Sequence, residues 1–253
     1  MVKRDQVVIL GVPVDNITEE EALARVEAFI EKGRPHQVVT VNPEFVVAAQ
    51  SDAKFFQVLK EADLSLPDGV GLLWAARFLG TPLSERLAGV DMVRRIASLA
   101  AERGYRLFLL GAARGVAEAT AMRLEEENPG LKVAGTYAGS PDPKEEEEIV
   151  EMIRAARPDV LLVAYGAPQQ DLWIHCHLGR LGVPVVMGVG GAFDFISGKA
   201  KRAPDWMQRL GLEWLHRLLH QPWRWRRMLA LPKFVWLVLT SSRWVNETLR
   251  YKA

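Results

Sequence analysis

The sequence predicts an α/β protein, a Rossmann-like and mainly parallel sheet with flanking helices, followed by a C-terminal helical appendage. Two observations carry the core. Up to residue 198, short apolar runs rich in β-branched residues alternate with amphipathic stretches of helical period, the order that builds a parallel sheet. Most of these runs do not alternate apolar with polar, as befits strands covered on both faces. A third observation sets the tail apart. After Gly198 the strand pattern stops, and residues 199–253 hold twelve Lys or Arg against three Asp or Glu, with six of the eight tryptophans.

In chain order, the strand candidates are QVVIL, HQVVTV, ADLSL, YRLFLL, LKVAGTY, DVLLVAY and VPVVMGV. The N-terminal MVKRDQVVILGVPVDNI lacks the apolar centre of a secretory leader, so QVVIL reads as a first strand, followed by a turn and a charged helix. That helix opens with Thr18 and Glu21, spaced as a capping box. A later helix opens at Ser140-Pro141-Asp142-Pro143 and runs into Glu145–Glu148, acids at the positive end of a helix and a solvated face. Residues 204–250 read as two or three basic, aromatic helices punctuated by Pro222 and Pro232. The division expected is a core over 1–198 and an appendage over 199–253.

The bulk numbers bound the location. A chain of 253 residues, 49% of them hydrophobic, can bury a large core. The single cysteine, Cys176, cannot form an intrachain disulfide, and nothing demands an oxidising compartment. No stretch reaches the roughly 18 to 20 apolar residues of a membrane span; the nearest, Met228 to Leu239, is short and interrupted by Pro232 and Lys233. The net charge of +1 hides −8 over residues 1–198 and +9 over 199–253. A basic, tryptophan-rich tail suits an anionic surface. A cytoplasmic protein peripherally associated with the inner face of the membrane is expected.

In open α/β sheets, ligands sit beyond the carboxyl ends of the strands. Those ends carry Thr40-Val41-Asn42-Pro43-Glu44, Pro67-Asp68-Gly69, Gly111 to Gly115, Gly166-Ala167-Pro168-Gln169-Gln170, and Gly190-Gly191 to Asp194. Five strand ends thus carry glycine, amide, hydroxyl or carboxylate groups, and most lead straight into helices, which suits phosphate. A dinucleotide site would need G-x-G-x-x-G and an acid about 20 residues on; here Gly111 and Gly115 stand four apart and LKVAGTY carries no acid. G-x-x-x-x-G-K-[ST] is missing as well, so NAD and ATP lose ground. No Asp-x-Asp or G-x-S-x-G occurs. His175, Cys176 and His177 are too close in sequence to face one metal from a helix.

TVNPEFVVAAQ, ADLSLPDGVGLLWAARFLG with ERLAGVD, LFLLGA, YGAPQQDLW and GVGGAFDFISGKAKRAPDWMQRLGLEWLHRLL together resemble the WecG/TagA/CpsF glycosyltransferase family, in order from about residue 6 to 245. The resemblance implies an inverting, metal-independent transferase without a cofactor. Its donor would be UDP-N-acetylmannosamine or the uronic acid, and its acceptor N-acetylglucosamine on undecaprenyl diphosphate. The product would feed wall teichoic acid or enterobacterial common antigen. By motif, Asp68 matches the catalytic base, and Thr40 and Asn42 match polar residues beside the donor. Gln169 or Gln170 matches the amide of GAP-x-Q, with Gln169 the first choice. Gly190, Gly191 and Asp194 fit the nucleotide end, Gly111 and Gly166 are substrate-binding candidates at their strand ends, and Arg86 fits the diphosphate. Arg217, Arg224 and Arg227 match basic positions over the active site, on one helical stripe if Pro222 does not break it. The chain departs from the frequent N-A-E of the family at Asn42-Pro43-Glu44. The sequence leaves open a homo-oligomer. Two rivals stand beside this reading: a nicotinamide oxidoreductase, and a non-catalytic membrane adaptor whose basic tail would otherwise suit nucleic acid, though no nucleic-acid partner is expected.

Overall fold

The computed structural model describes residues 4–250, with the side chains of all but Arg209, Arg224 and residues 242–250. The chain opens with a hairpin, β1 (Gln6–Ile9) and β2 (Val12–Asp15), paired antiparallel. Only β1 is expected from the sequence, because Pro13 demotes the second run. The turn between them is Leu10-Gly11, both at positive φ (50° and 85°), as a two-residue hairpin turn requires.

Helix α1 (Glu19–Lys32) follows, and its Thr18–Glu21 capping box forms in both directions. The main sheet then builds as β3 (His36–Val41), β4 (Leu64–Pro67), β5 (Arg106–Gly111), β6 (Lys132–Tyr137), β7 (Val160–Ala164) and β8 (Val185–Gly188). All its pairings are parallel, in the order β4-β3-β8-β7-β5-β6. β3, β4, β7 and β8 are buried along their whole length, the reason they read as unbroken apolar runs. β6 is an edge strand and only partly covered.

Helices α2 (Pro43–Ala49), α3 (Ala53–Glu61), α4 (Val70–Phe78), α5 (Gly89–Arg103), α6 (Val116–Glu127), α7 (Glu146–Ala156), α8 (Gln169–Leu181) and α9 (Ala192–Ile196) connect the strands. At the start of α7, Glu145 accepts from the Ser140 N–H and hydroxyl at 3.1 and 2.7 Å, so the acidic segment does start a helix. The appendage comprises α10 (Asp205–Arg209), α11 (Glu213–His220), a 3-10 turn over Pro222–Arg224, α12 (Trp225–Met228) and α13 (Ala230–Arg250). Pro232 sits in the first turn of α13, where proline is tolerated, and does not divide it. Phe234 and Val238, one turn apart on α13, are 1% and 0% exposed and enter the same core as Val46 of α2 and Leu72 of α4. No helix among the described residues is long and apolar enough to cross a membrane.

Candidate active site

β4, β3, β8 and β7 are neighbours, and their carboxyl ends open on one cavity of about 440 Å³, a usual size for a small-molecule site. In the β3–β4 register Val41 stands beside Pro67, so Asn42 and Asp68 leave the sheet side by side. Thr40, Asn42, Asp68 and Arg86 line the cavity, as do Gly166, Gln170, Gly190, Gly191 and Asp194. Four of the five predicted strand ends thus converge.

The fifth does not. Gly111 ends β5 outside the cavity lining. It has φ of 97°, and a Cβ there would fall 2.9 Å from the Ala164 carbonyl carbon, so close packing against β7 requires glycine. Gln169 also lies outside the lining and is exposed at the first position of α8, whereas Gln170 is buried and faces in. The amide of the GAP-x-Q segment is therefore Gln170. Its Oε1 accepts from the Gly190 N–H at 2.9 Å and so fixes the glycine loop after β8.

Asp68 follows β4 directly, and Gly69, at φ of 104°, turns the chain into α4. The Asp68 N–H donates to the Val41 carbonyl at 2.7 Å. Its Oδ2 accepts from the Gly89 N–H at the start of α5, at 3.4 Å. The residue keeps some surface on the cavity side while protein encloses the carboxylate elsewhere. That burial pushes its pKa up to about 6. The Arg86 guanidinium and the Gly89 N–H pull it back, and the Glu213 and Asp91 carboxylates add to the rise. Nearby, the Thr40 hydroxyl donates to the Gly188 carbonyl at 3.3 Å, and Asn42 Oδ1 caps α2 by accepting from the Phe45 N–H at 3.0 Å.

The appendage supplies cations. Arg217 of α11 lines the cavity, stacked over the Phe195 ring at 5.0 Å, with Nη2 packed against Gly191. Its Nε is buried without a hydrogen-bond partner. Burial first and Arg227 second lower its pKa, but a guanidinium remains a cation at any working pH. Arg227 lines the cavity too. The helical stripe expected through Arg217, Arg224 and Arg227 does not form, because α11 ends at His220 and Pro222 starts a new turn; a residue before proline avoids helical geometry. The chain folds back so that Arg217 and Arg227 still meet at the cavity. The Arg224 side chain lies outside the described residues.

A sequence profile described as the Glycosyl transferase WecG/TagA/CpsF family matches residues 7–248. The chain belongs to that family. Among its relatives, proteins named N-acetylglucosaminyldiphosphoundecaprenol N-acetyl-beta-D-mannosaminyltransferase are 38% identical in Bacillus spizizenii (85% of this chain, 83% of the relative) and 38% identical in Bacillus subtilis (81% and 80%). The relative of that name in Staphylococcus aureus strain MW2 is 30% identical, covering 94% of each chain. The protein is a glycosyltransferase.

Three features of this glycosyltransferase site are not expected from the sequence. Arg86, anticipated at a diphosphate, gives its Nη2 to Glu213 at 2.6 Å and its Nη1 to the Gln208 carbonyl at 3.3 Å. Arg202, of the R-A-P segment, grips Asp91 with two bonds of 2.5 and 2.7 Å and Glu213 with a third of 3.2 Å. Together these residues tie α10 and α11 to the core beside Asp68. Asp171 is the third: it is 0% exposed, and neither carboxylate oxygen has a well-formed hydrogen bond among the described residues. Burial pushes its pKa up to about 7, against the neighbouring Gln170 amide, which pulls it down. Asp171 and Gln170 together press on Gly188, where a Cβ would lie 2.5 Å from Asp171 Oδ1 and 2.6 Å from Gln170 Nε2. The available signal was an acid three and seven residues before Ile174 and Leu178, on their face of the helix.

Of the histidines near Cys176, His177 is buried against Trp173 and Glu146, and His175 faces Glu61. Among the described residues, no three His, Cys, Asp or Glu side chains gather as a metal-binding group.

Proposed function

We propose that the protein transfers N-acetylmannosamine, or its uronic acid, from a UDP-sugar to a hydroxyl of N-acetylglucosamine on a polyprenyl diphosphate, with inversion and without a metal ion. The observation that carries this reading is the pairing in one cavity of a partly enclosed carboxylate, Asp68, with a half-buried guanidinium, Arg217, whose Nε–H is unused. Asp68 takes the proton of the acceptor hydroxyl as that oxygen bonds to the anomeric carbon. The bond from the anomeric carbon to the UDP oxygen breaks on the opposite face, and its electron pair leaves on the diphosphate. Arg217, with Arg227 beside it and the N-terminal ends of α4 and α5 opening on the cavity, meets that charge. The relatives' names support the sugar and the acceptor. The test is UDP release across a panel of UDP-sugars with a short-chain lipid-linked N-acetylglucosamine. Release with the mannosamine-type donors bears the reading out, and release with none of the panel overturns it.

A further inference from the structure

Between the appendage and the core lies a second, smaller and partly open cavity of about 220 Å³. Its apolar walls are Phe45, Val47 and Ala48 of α2, the Ala167-Pro168 segment, and Ala230 of α13; its charged members are Glu44, Arg226 and Arg227. Glu44, Phe45, Ala167 and Arg227 line both cavities, so the two share one wall. Arg226 lines only the smaller one. It is exposed, lies over the Trp225 ring at 5.5 Å, and makes no ion pair among the described residues.

We propose that this groove is the subsite for the first isoprene units of a polyprenyl-diphosphate acceptor, with the diphosphate on Arg226 beside the shared wall and the sugar in the larger cavity toward Asp68. The proposal rests on the transferase reading above and assigns the place of its lipid. The order of chemistry in such a molecule, sugar then diphosphate then hydrocarbon, is the order met here: a cavity with a base, an arginine without an ion pair among the described residues, an apolar groove. A nucleotide does not fit the smaller cavity, because its polar groups would be stranded against apolar walls. The size is also right. An apolar cavity of ~150 Å³ holds a benzene ring, so this one accommodates roughly one or two five-carbon units. Glu44 keeps Arg227 at the rim of the larger cavity, which leaves Arg226 for the acceptor's diphosphate.

The test uses two water-soluble acceptors without vesicles, N-acetylglucosamine diphosphate esterified with geranyl or with methyl. The readout is the ratio of their KM values. Wild type should favour the geranyl acceptor by about tenfold or more, which burial of two or so methylene-sized groups supplies. Ala48→Phe, which fills the groove, should bring the ratio close to one. Ala230→Phe, on the appendage side, repeats the test if circular dichroism shows Ala48→Phe unfolded. A wild-type ratio near one, or a ratio that survives filling, overturns the proposal. If no donor is turned over with either acceptor, the transferase reading has failed, and calorimetry with geranyl diphosphate decides the groove alone. Binding about tenfold weaker in Ala48→Phe and in Arg226→Gln supports it; unchanged affinity in both overturns it.

Discussion

Arg227 and Glu44, 183 residues apart in sequence, meet on a single oxygen: Nε and Nη2 of the arginine reach Oε2 of the glutamate at 2.9 and 2.8 Å. Glu44 stands in the first turn of α2 and Arg227 in α12, so the pair lays the appendage along the rim of the cavity. Both side chains are partly exposed, and such a pair contributes at most about 1 kcal/mol. Its importance is positional. Arg217→Ala and Arg227→Ala should each lower turnover, Arg217→Ala by roughly 10²-fold, as removal of one stabilising donor at a developing charge does. Thermal melting should stay within a few degrees of wild type and vesicle binding should be mostly intact. Wild-type turnover in Arg217→Ala, measured by UDP release, removes it from the mechanism.

Asp68→Asn should keep the fold and UDP binding while lowering turnover by roughly 10²–10⁴-fold. The pH dependence follows from its raised pKa of about 6. A base works only when deprotonated, so kcat/KM should climb as pH rises through that value and level off above it. The acidic limb should be missing from the residual activity of Asp68→Asn. A limb that persists unchanged in the variant assigns it to another group.

Asp171 makes a prediction about stability. Its folded-state pKa of about 7 lies above the ordinary 3.8, so the folded protein prefers the neutral acid. Stability from this group is full below pH 3.8 and is lost as pH rises through about 7, by up to the order of 4 kcal/mol. Asp171→Asn, which cannot ionise, should therefore raise the melting temperature relative to wild type at pH 8 and have little effect at pH 4. Equal shifts at both pH values would mean that burial of the charge is not what costs stability.

Activity should survive EDTA, because the charge on the leaving diphosphate has Arg217 and Arg227 to meet it. Loss of UDP release on chelation, restored by Mg²⁺, overturns the metal-free step.

What the sequence shows of this site divides along physical lines. The strand ends of β3, β4, β7 and β8 are legible because buried parallel strands leave unbroken apolar runs, and whatever follows such a run sits at the ligand edge. Gly111 shares that signature, yet its glycine answers to the Ala164 backbone, a contact between strands that no local pattern records. Gln169 and Gln170 differ only in helical phase, which depends on where α8 starts. Arg86, Arg202 and Glu213 are joined by folding of the appendage, over separations of 11 to 127 residues, beyond the reach of spacing. The second strand of the hairpin is hidden by Pro13.

The tail carries the last prediction. Phe234 and Val238 put α13 into the core with α2 and α4, and loss of one buried phenylalanine costs about 3–5 kcal/mol. Deleting residues from 199 onward should therefore lower the melting temperature as well as abolish most activity, even on a soluble acceptor; the arginine variants should lower activity alone. Trp206, Trp223, Trp225 and Trp236 are 59%, 73%, 53% and 62% exposed, in a segment rich in basic residues; the Trp244 side chain lies outside the described residues. Tryptophan prefers the headgroup level, and each basic residue near an anionic surface contributes about 1 kcal/mol. Full-length protein should bind phosphatidylglycerol-containing vesicles at low salt and release as salt rises. Replacing Trp223, Trp225 and Trp236 by serine should weaken that binding while leaving turnover of a soluble acceptor near wild type. If the full-length chain ignores anionic vesicles at low salt, these tryptophans have another partner, and the peripheral placement is wrong. If truncation lowers the melting temperature but leaves activity on the soluble acceptor intact, Arg217 and Arg227 are not part of the chemistry, and the appendage serves stability alone.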